Sequence, residues 1–263
     1  MKNNIRSRAA FITLSLIITF VNVKGQTSET TVAPPAVSSI KATAEIVSTY
    51  VWRGSSATAN PTPNIQPTFA YVKGNFEIGA WGSTDFIGSY KEFDPYVSLT
   101  TGLLKFTLTD YNWNLNRARY FNYKKDETGH ILEGTVGFAG TTSFPISISL
   151  NTMFYGYDKN ASDTMNVKQA YSTYIELGYT KGPAAFFFGF TPWASYYNNY
   201  GITAFDPAAS KKSFSIVNIG ATLSSAIKIA DSFSLPVRAT LVINPSATYS
   251  KGDFVHVVFG VTL

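Results

Sequence analysis

From residue 41 to the end of the chain, apolar and polar residues alternate in about twelve short stretches, and the connections between them switch strictly between short and long. A period of two is the signature of a strand with one face in apolar surroundings. Helical spacing, with apolar residues three and four apart, is not sustained over any long segment of this region. The C-terminal run is the clearest: Val255, Val257, Phe259, Val261 and Leu263 share one face, opposite Phe254, His256, Val258, Gly260 and Thr262. Leu104, Phe106 and Leu108 alternate with Lys105, Thr107 and Thr109 in the same way.

The expected strands are 41–53, 64–73, 75–86, 92–101, 103–112, 130–140, 144–155, 168–180, 183–192, 213–229, 233–243 and 253–263. Within consecutive pairs, Lys73-Gly74-Asn75, Thr101-Gly102, Gly140 to Ser143, Lys181-Gly182-Pro183 and Ala230-Asp231-Ser232 are tight-turn sequences. The intervening connections, 54–63, 87–91, 113–129, 156–167, 193–212 and 244–252, are longer and more polar. An even number of antiparallel strands with short turns at one rim and long loops at the other predicts an all-β fold. That fold is a single up-and-down transmembrane β-barrel, with periplasmic turns and extracellular loops. Closure also removes the edges that such apolar strands would otherwise expose.

The first 25 residues read differently. Lys2, Arg6 and Arg8 precede an apolar run from Ala9 to Val21, and Val23 and Gly25 sit where a signal peptidase would cut before Gln26. This predicts a secretory signal peptide, with an uncleaved anchor as the alternative. Four of the 21 Lys plus Arg fall in that leader and none of the 16 Asp plus Glu does, which leaves 17 bases against 16 acids. The near-neutral remainder argues against a nucleic-acid partner. The absence of cysteine excludes disulfides and thiolate metal sites and suits an oxidising compartment. Residues 26–40 are rich in Ser, Thr and Pro and are expected to form a flexible periplasmic tail, with a plug as the alternative. The barrel domain is then 41–263.

Parity places Glu45, Arg53, Glu77, Asp85, Asp94, Lys105, Glu133, Glu176 and Arg238 on the face opposite the apolar one, lining the lumen. Charge is avoided on the lipid face because an Arg or Lys at the bilayer midplane costs about 2–4 kcal/mol. The acidic excess in this set predicts a weak cation preference for any pore; mutual pairing that stiffens the barrel is the alternative. Trp52, Phe86, Trp113, Tyr155 and Trp193 stand where strands run into long loops and are expected to form the outer aromatic girdle. Tyr196, Tyr197, Tyr200 and Phe205 are expected to fold their loop over the mouth, with contact to a ligand as the alternative.

Val47-Ser48-Thr49-Tyr50-Val51-Trp52-Arg53-Gly54, Ile65-Gln66-Pro67 and Gly79-Ala80-Trp81-Gly82-Ser83 resemble the opening of the TorF-like porin family, also called Gcw_chp. That family shows a Ser-x-Tyr-x-aromatic-Arg-Gly start, a Pro-containing second strand and a Gly-x-Trp-x-Ser third strand. The resemblance covers residues 45–100 and implies an outer-membrane porin with no catalytic residues to carry over. Its expected partners are outer-membrane lipid, the barrel-assembly machinery and small hydrophilic solutes. The C-terminal Leu263 departs from the aromatic residue usual in assembly signals.

Catalysis has little material. The two histidines are His130 and His256, no Gly-x-Ser-x-Gly or His-Glu-x-x-His run exists, and Asp126 with His130 is the nearest approach to a protease-like pair. The expectation is a non-enzymatic barrel without cofactor or metal. It serves as a passive channel or, alternatively, as a non-conducting barrel that presents its loops for binding or adhesion.

Overall fold

The computed structural model describes residues 38–58, 61–113, 120–124, 127–160, 168–193, 195–198, 214–247 and 254–263. The expected leader and most of the expected tail lie outside these residues. Twelve antiparallel strands close into one barrel. They are β1 (Ser38–Val47), β2 (Asn64–Lys73), β3 (Phe76–Asp85), β4 (Lys91–Thr101), β5 (Leu104–Asn112), β6 (His130–Phe138), β7 (Ile146–Gly156), β8 (Thr173–Lys181), β9 (Ala184–Thr191), β10 (Ser215–Ala230), β11 (Phe233–Ile243) and β12 (Val255–Thr262). Each pairs with its neighbours in chain order, and the seam is sealed by β1 against β12 through Glu45↔Thr262, Ile46↔Val261 and Val47↔Gly260.

One face of every strand is apolar and open to the surroundings. Ile40, Phe69, Ile78, Leu99, Phe106, Val136, Ile148, Leu177, Phe186, Leu223, Leu241 and Phe259 supply one exposed side chain from each strand in turn. A soluble monomer rarely carries a continuous apolar patch of more than a few hundred Å². A belt that encircles the molecule fits the hydrocarbon of an outer membrane. The opposite parity points inward. Its side chains reach past their neighbours to strands two positions away, as Lys41 of β1 does to Glu77 of β3, which is possible only on the concave side.

Three expected strand boundaries are corrected. The run 41–53 stops at Val47, because Val51–Trp52 turns back to pair with Ser55–Ser56 in a small hairpin of its own. The run 168–180 begins at Thr173; Lys168–Gln169 pairs instead with Lys159–Asn160 in the preceding loop. The expected tail loses its last residues to β1, which starts at Ser38. In the first two cases alternation continues in the sequence, but barrel pairing stops where the backbone leaves the wall; in the third, Ser38, Ser39 and Ile40 pair with Lys73, Val72 and Tyr71 and lengthen the wall.

Candidate functional site: a plug across the long-loop end of the lumen

Exposure along the inner wall is graded. Towards the short turns the inward residues Thr43, Glu45, Glu77, Lys105, Ser147, Ser224, Ala226 and Arg238 are exposed or half-buried, while the small Ala70 and Ser98 beside them are buried; towards the long loops Asn64, Ser83, Asp85, Glu92, Asp94, Glu133, Asn151, Tyr174 and Asn218 are buried. The barrel is a cup, open at the short-turn rim and filled at the other.

The filling is built on the hairpin Val51–Ser56. Its two central residues, Arg53 and Gly54, both have positive φ, 48° and 90°. That is the geometry of a two-residue type I′ turn, which glycine adopts freely and arginine at a cost. Gly54 is required twice over, since a Cβ there would stand 1.8 Å from the carbonyl oxygen of Val217 on β10. The tip is thus pressed against the inner wall, and Arg53 is aimed across the lumen.

Arg53 meets Glu133 of β6 bidentately, Nη1 to Oε2 at 2.5 Å and Nη2 to Oε1 at 2.8 Å, and Nη1 also donates to the Tyr197 hydroxyl. The guanidinium carbon lies 4.6 Å from the Trp52 ring centre, 4.8 Å from that of Tyr174 and 5.4 Å from that of Tyr197. Positive charge over ring faces is attractive, the more so away from water. Glu133 accepts further bonds from Tyr111 at 2.9 Å and Tyr197 at 3.3 Å. Burial works against the Arg53 charge, but the adjoining Glu133 carboxylate outweighs it and holds the guanidinium well above its ordinary range. Burial likewise pushes the Tyr197 phenol up.

Around this pair Ile131, Met153, Tyr174, Tyr197 and Val217 form a buried core, with Trp52, Tyr111, Trp113 and Tyr196 packed on it. The turn Tyr196–Asn198 is seated by Ser195, whose backbone N–H donates to Asn198 Oδ1 at 3.0 Å, and by the Tyr196 N–H to Ser172 Oγ at 2.8 Å. Trp52 and Trp113 were expected in the girdle; both pack inside the barrel, against each other at 5.5 Å. Phe86 and Trp193 are exposed, and Tyr155 lies on the outer face opposite Leu132. Tyr196 and Tyr197 fold into the mouth; Tyr200 and Phe205 lie outside the described residues.

The nine charged residues expected in the lumen fall into separate groups. Arg53 and Glu133 meet in the plug. Glu45 and Arg238 pair at the open end, with Nη2 to Oε2 at 3.1 Å, and Glu77 gathers Lys41 at 3.2 Å, Lys105 at 3.8 Å and the Tyr96 hydroxyl at 2.7 Å. Asp94 accepts from the Asn112 N–H at 3.0 Å and touches Glu92. Glu176 takes the Tyr174 hydroxyl and Asn218 Nδ2. Asp85 is spent on its own turn, accepting from the Tyr90 N–H and the Ser89 hydroxyl. Lys41 and Glu92 belong to the same wall and were missed, each lying at or just outside an expected strand end. Tyr174 carries no sequence signal of its role, and Tyr197 is signalled only as part of a loop expected over the mouth; the Trp-Arg-Gly run, apt for a positive-φ turn, is the available clue to the hairpin.

His130 opens β6, where the expected strand 130–140 begins, and its carboxylate partner is Asp110 at 2.8 Å. Asp126 lies outside the described residues. No family model and no curated protein matches the chain.

Proposed function

We propose that the protein is an outer-membrane porin-like barrel whose passage for small hydrophilic solutes is shut at rest by its own Arg53 hairpin. The observation that carries this reading is the graded interior: a wetted, charged cup on the short-turn side beneath a packed septum on the long-loop side. A septum whose central ion pair sits on a short hairpin, tied further by Asn244 Nδ2 to Ser55 Oγ at 3.3 Å, is removable without unfolding the wall. The resemblance of residues 45–100 to the TorF-like porins supports the same assignment. In it Glu45, Glu77, Lys105 and Arg238 line the open half of the path, and Arg53, Asp85, Asp94, Glu133 and Glu176 lie along the closed half. The leader directs export, outer-membrane lipid and the assembly machinery are the partners, and no catalysis is assigned.

The density of the plug core favours a second reading, a permanently closed barrel that presents its loops. Planar-bilayer recording separates the two. Under the gated reading the purified chain is silent or rarely open, while Arg53→Ala and deletion of 51–56 give unitary steps. Silence from both variants, in barrels shown to be folded by heat-modifiable gel migration, leaves the display reading. The reversal potential of the open variants in a salt gradient tests the cation preference.

A further inference from the structure

His130 lies apart from the plug. It begins β6 on the outward parity, opposite Asn112 of β5, yet is only 1 % exposed, because residues 120–124 fold over it from outside the wall. Its Nδ1 is 2.8 Å from Asp110 Oδ1, and its Nε2 faces the carbonyl oxygen of Tyr120. Nε2 also lies 3.0 Å from Asn112 Nδ2. The Tyr123 ring stacks on the imidazole at 4.3 Å, and its hydroxyl donates to Asp110 Oδ2 at 2.6 Å. The Tyr120 ring stands edge-on to the imidazole and packs on Phe93 of β4.

Counting hydrogens sets the constraint. A carboxylate and a main-chain carbonyl only accept, so both ring nitrogens serve them together only when each carries a hydrogen, which is the imidazolium. A neutral ring that keeps its Nδ1–H on Asp110 has a lone pair at Nε2. That lone pair accepts from the waiting Asn112 Nδ2 and opposes the lone pairs of the Tyr120 carbonyl. The site therefore holds two competing arrangements: the imidazolium serves Asp110 and the Tyr120 carbonyl but sets its Nε2–H against the Asn112 amide donor, whereas the neutral ring accepts from Asn112 and opposes the carbonyl, so only the charged one binds the loop.

We propose that His130 is a proton-operated clasp: as imidazolium it fastens residues 120–124 to the outer face of the barrel, and as neutral imidazole it turns to Asn112 and lets them go. The groups that face it are Asp110 and Asn112 from β5, Tyr120 and Tyr123 from the loop, Thr128 before it, and Tyr155 of β7, which donates to the Tyr123 carbonyl. Asp94 and Glu92 stand behind β5 on the inner side. Burial, reinforced by Asp110, raises both Tyr120 and Tyr123, so neither phenol ionises near neutrality. Lys124 and Glu127 pair with each other in the exposed part of the loop. Histidine is the side chain whose charge ordinarily changes between about pH 5 and 8. The clasp is closed on the acid side and released as pH rises.

The chain has no cysteine, so Phe121→Cys, at a position 85 % exposed, accepts a single nitroxide label in the full-length barrel. The expected result is a label immobile on the acid side that becomes mobile as pH is raised, in a one-proton transition. With His130→Gln added, the label is mobile throughout. Nitrogen NMR of the otherwise native chain, which has two histidines, should show both His130 nitrogens protonated while the label is immobile. Label mobility independent of pH, or pH dependence that survives His130→Gln, overturns the clasp. If His130→Gln does not fold, the NMR decides alone, since an immobile label beside a singly protonated His130 is equally fatal.

Discussion

Truncating Arg53 to Ala is expected to destabilise the barrel far more than truncating Arg238, although both guanidiniums grip a glutamate. The difference lies in what surrounds each pair. Side-chain exposure is 11 % and 1 % for Arg53 and Glu133, against 20 % and 24 % for Arg238 and Glu45. Removing one partner of a buried pair costs about 3–5 kcal/mol, because the other charge is left without water or counterion. The Tyr111 and Tyr197 hydroxyls still donate to Glu133 and offset part of this, while three ring contacts to the cation, each worth about 0.5–2 kcal/mol, are lost. We expect about 3–4 kcal/mol for Arg53→Ala and about 1 kcal/mol or less for Arg238→Ala, whose partner rehydrates. Equilibrium urea unfolding in lipid vesicles, followed by tryptophan fluorescence, measures both. The double variant Arg53→Ala, Glu133→Gln should cost less than the sum of its singles by about 2 kcal/mol, well outside the ~0.5 kcal/mol scatter of independent sites. Equal costs at Arg53 and Arg238, or additivity in the double variant, would refute a dry, closed septum.

Gly54→Ala places a methyl group against the Val217 carbonyl in a left-handed backbone, so the hairpin cannot seat; barrels that fold with a raised open probability in bilayer recordings are expected. Leu241→Arg on the lipid face should lower stability by about 2–4 kcal/mol, whereas Thr107→Lys, inward on the neighbouring parity class of β5, should leave it nearly unchanged in the same unfolding assay. Asp158, in the loop after β7, is raised above the usual carboxylate range by burial despite bonds from Ser172 and Gln169. The folded state therefore holds that proton to higher pH than the unfolded chain. Its contribution is complete below the unfolded value and is lost as pH rises through the folded one. Asp158→Asn should flatten this decline on the alkaline side of the ordinary carboxylate value of 3.8; an unchanged slope would contradict it.

The wall of the barrel was readable residue by residue. A strand's side chains alternate by local geometry, so Val255, Val257 and Phe259 declare an apolar face without reference to any other segment, and turn residues such as Lys181-Gly182-Pro183 mark where pairs join. Parity also sorted the inward charges, and Glu45, Glu77, Lys105 and Arg238 all stand on the concave side. The plug was not readable in this way. Trp52 continues the alternation of β1 and suits a membrane interface as well as a dry core, so beyond the Trp-Arg-Gly run nothing local signals that the backbone turns inward after Val47. Arg53 and Glu133 are 80 positions apart, and Arg238 and Glu45 are 193 apart. Period and composition thus determined an all-β barrel with an apolar outer face, because each strand satisfies those rules alone. Only the tertiary structure decided which inward charges meet and which end is shut, because strand register and closure bring distant side chains across the lumen, and no local rule encodes that.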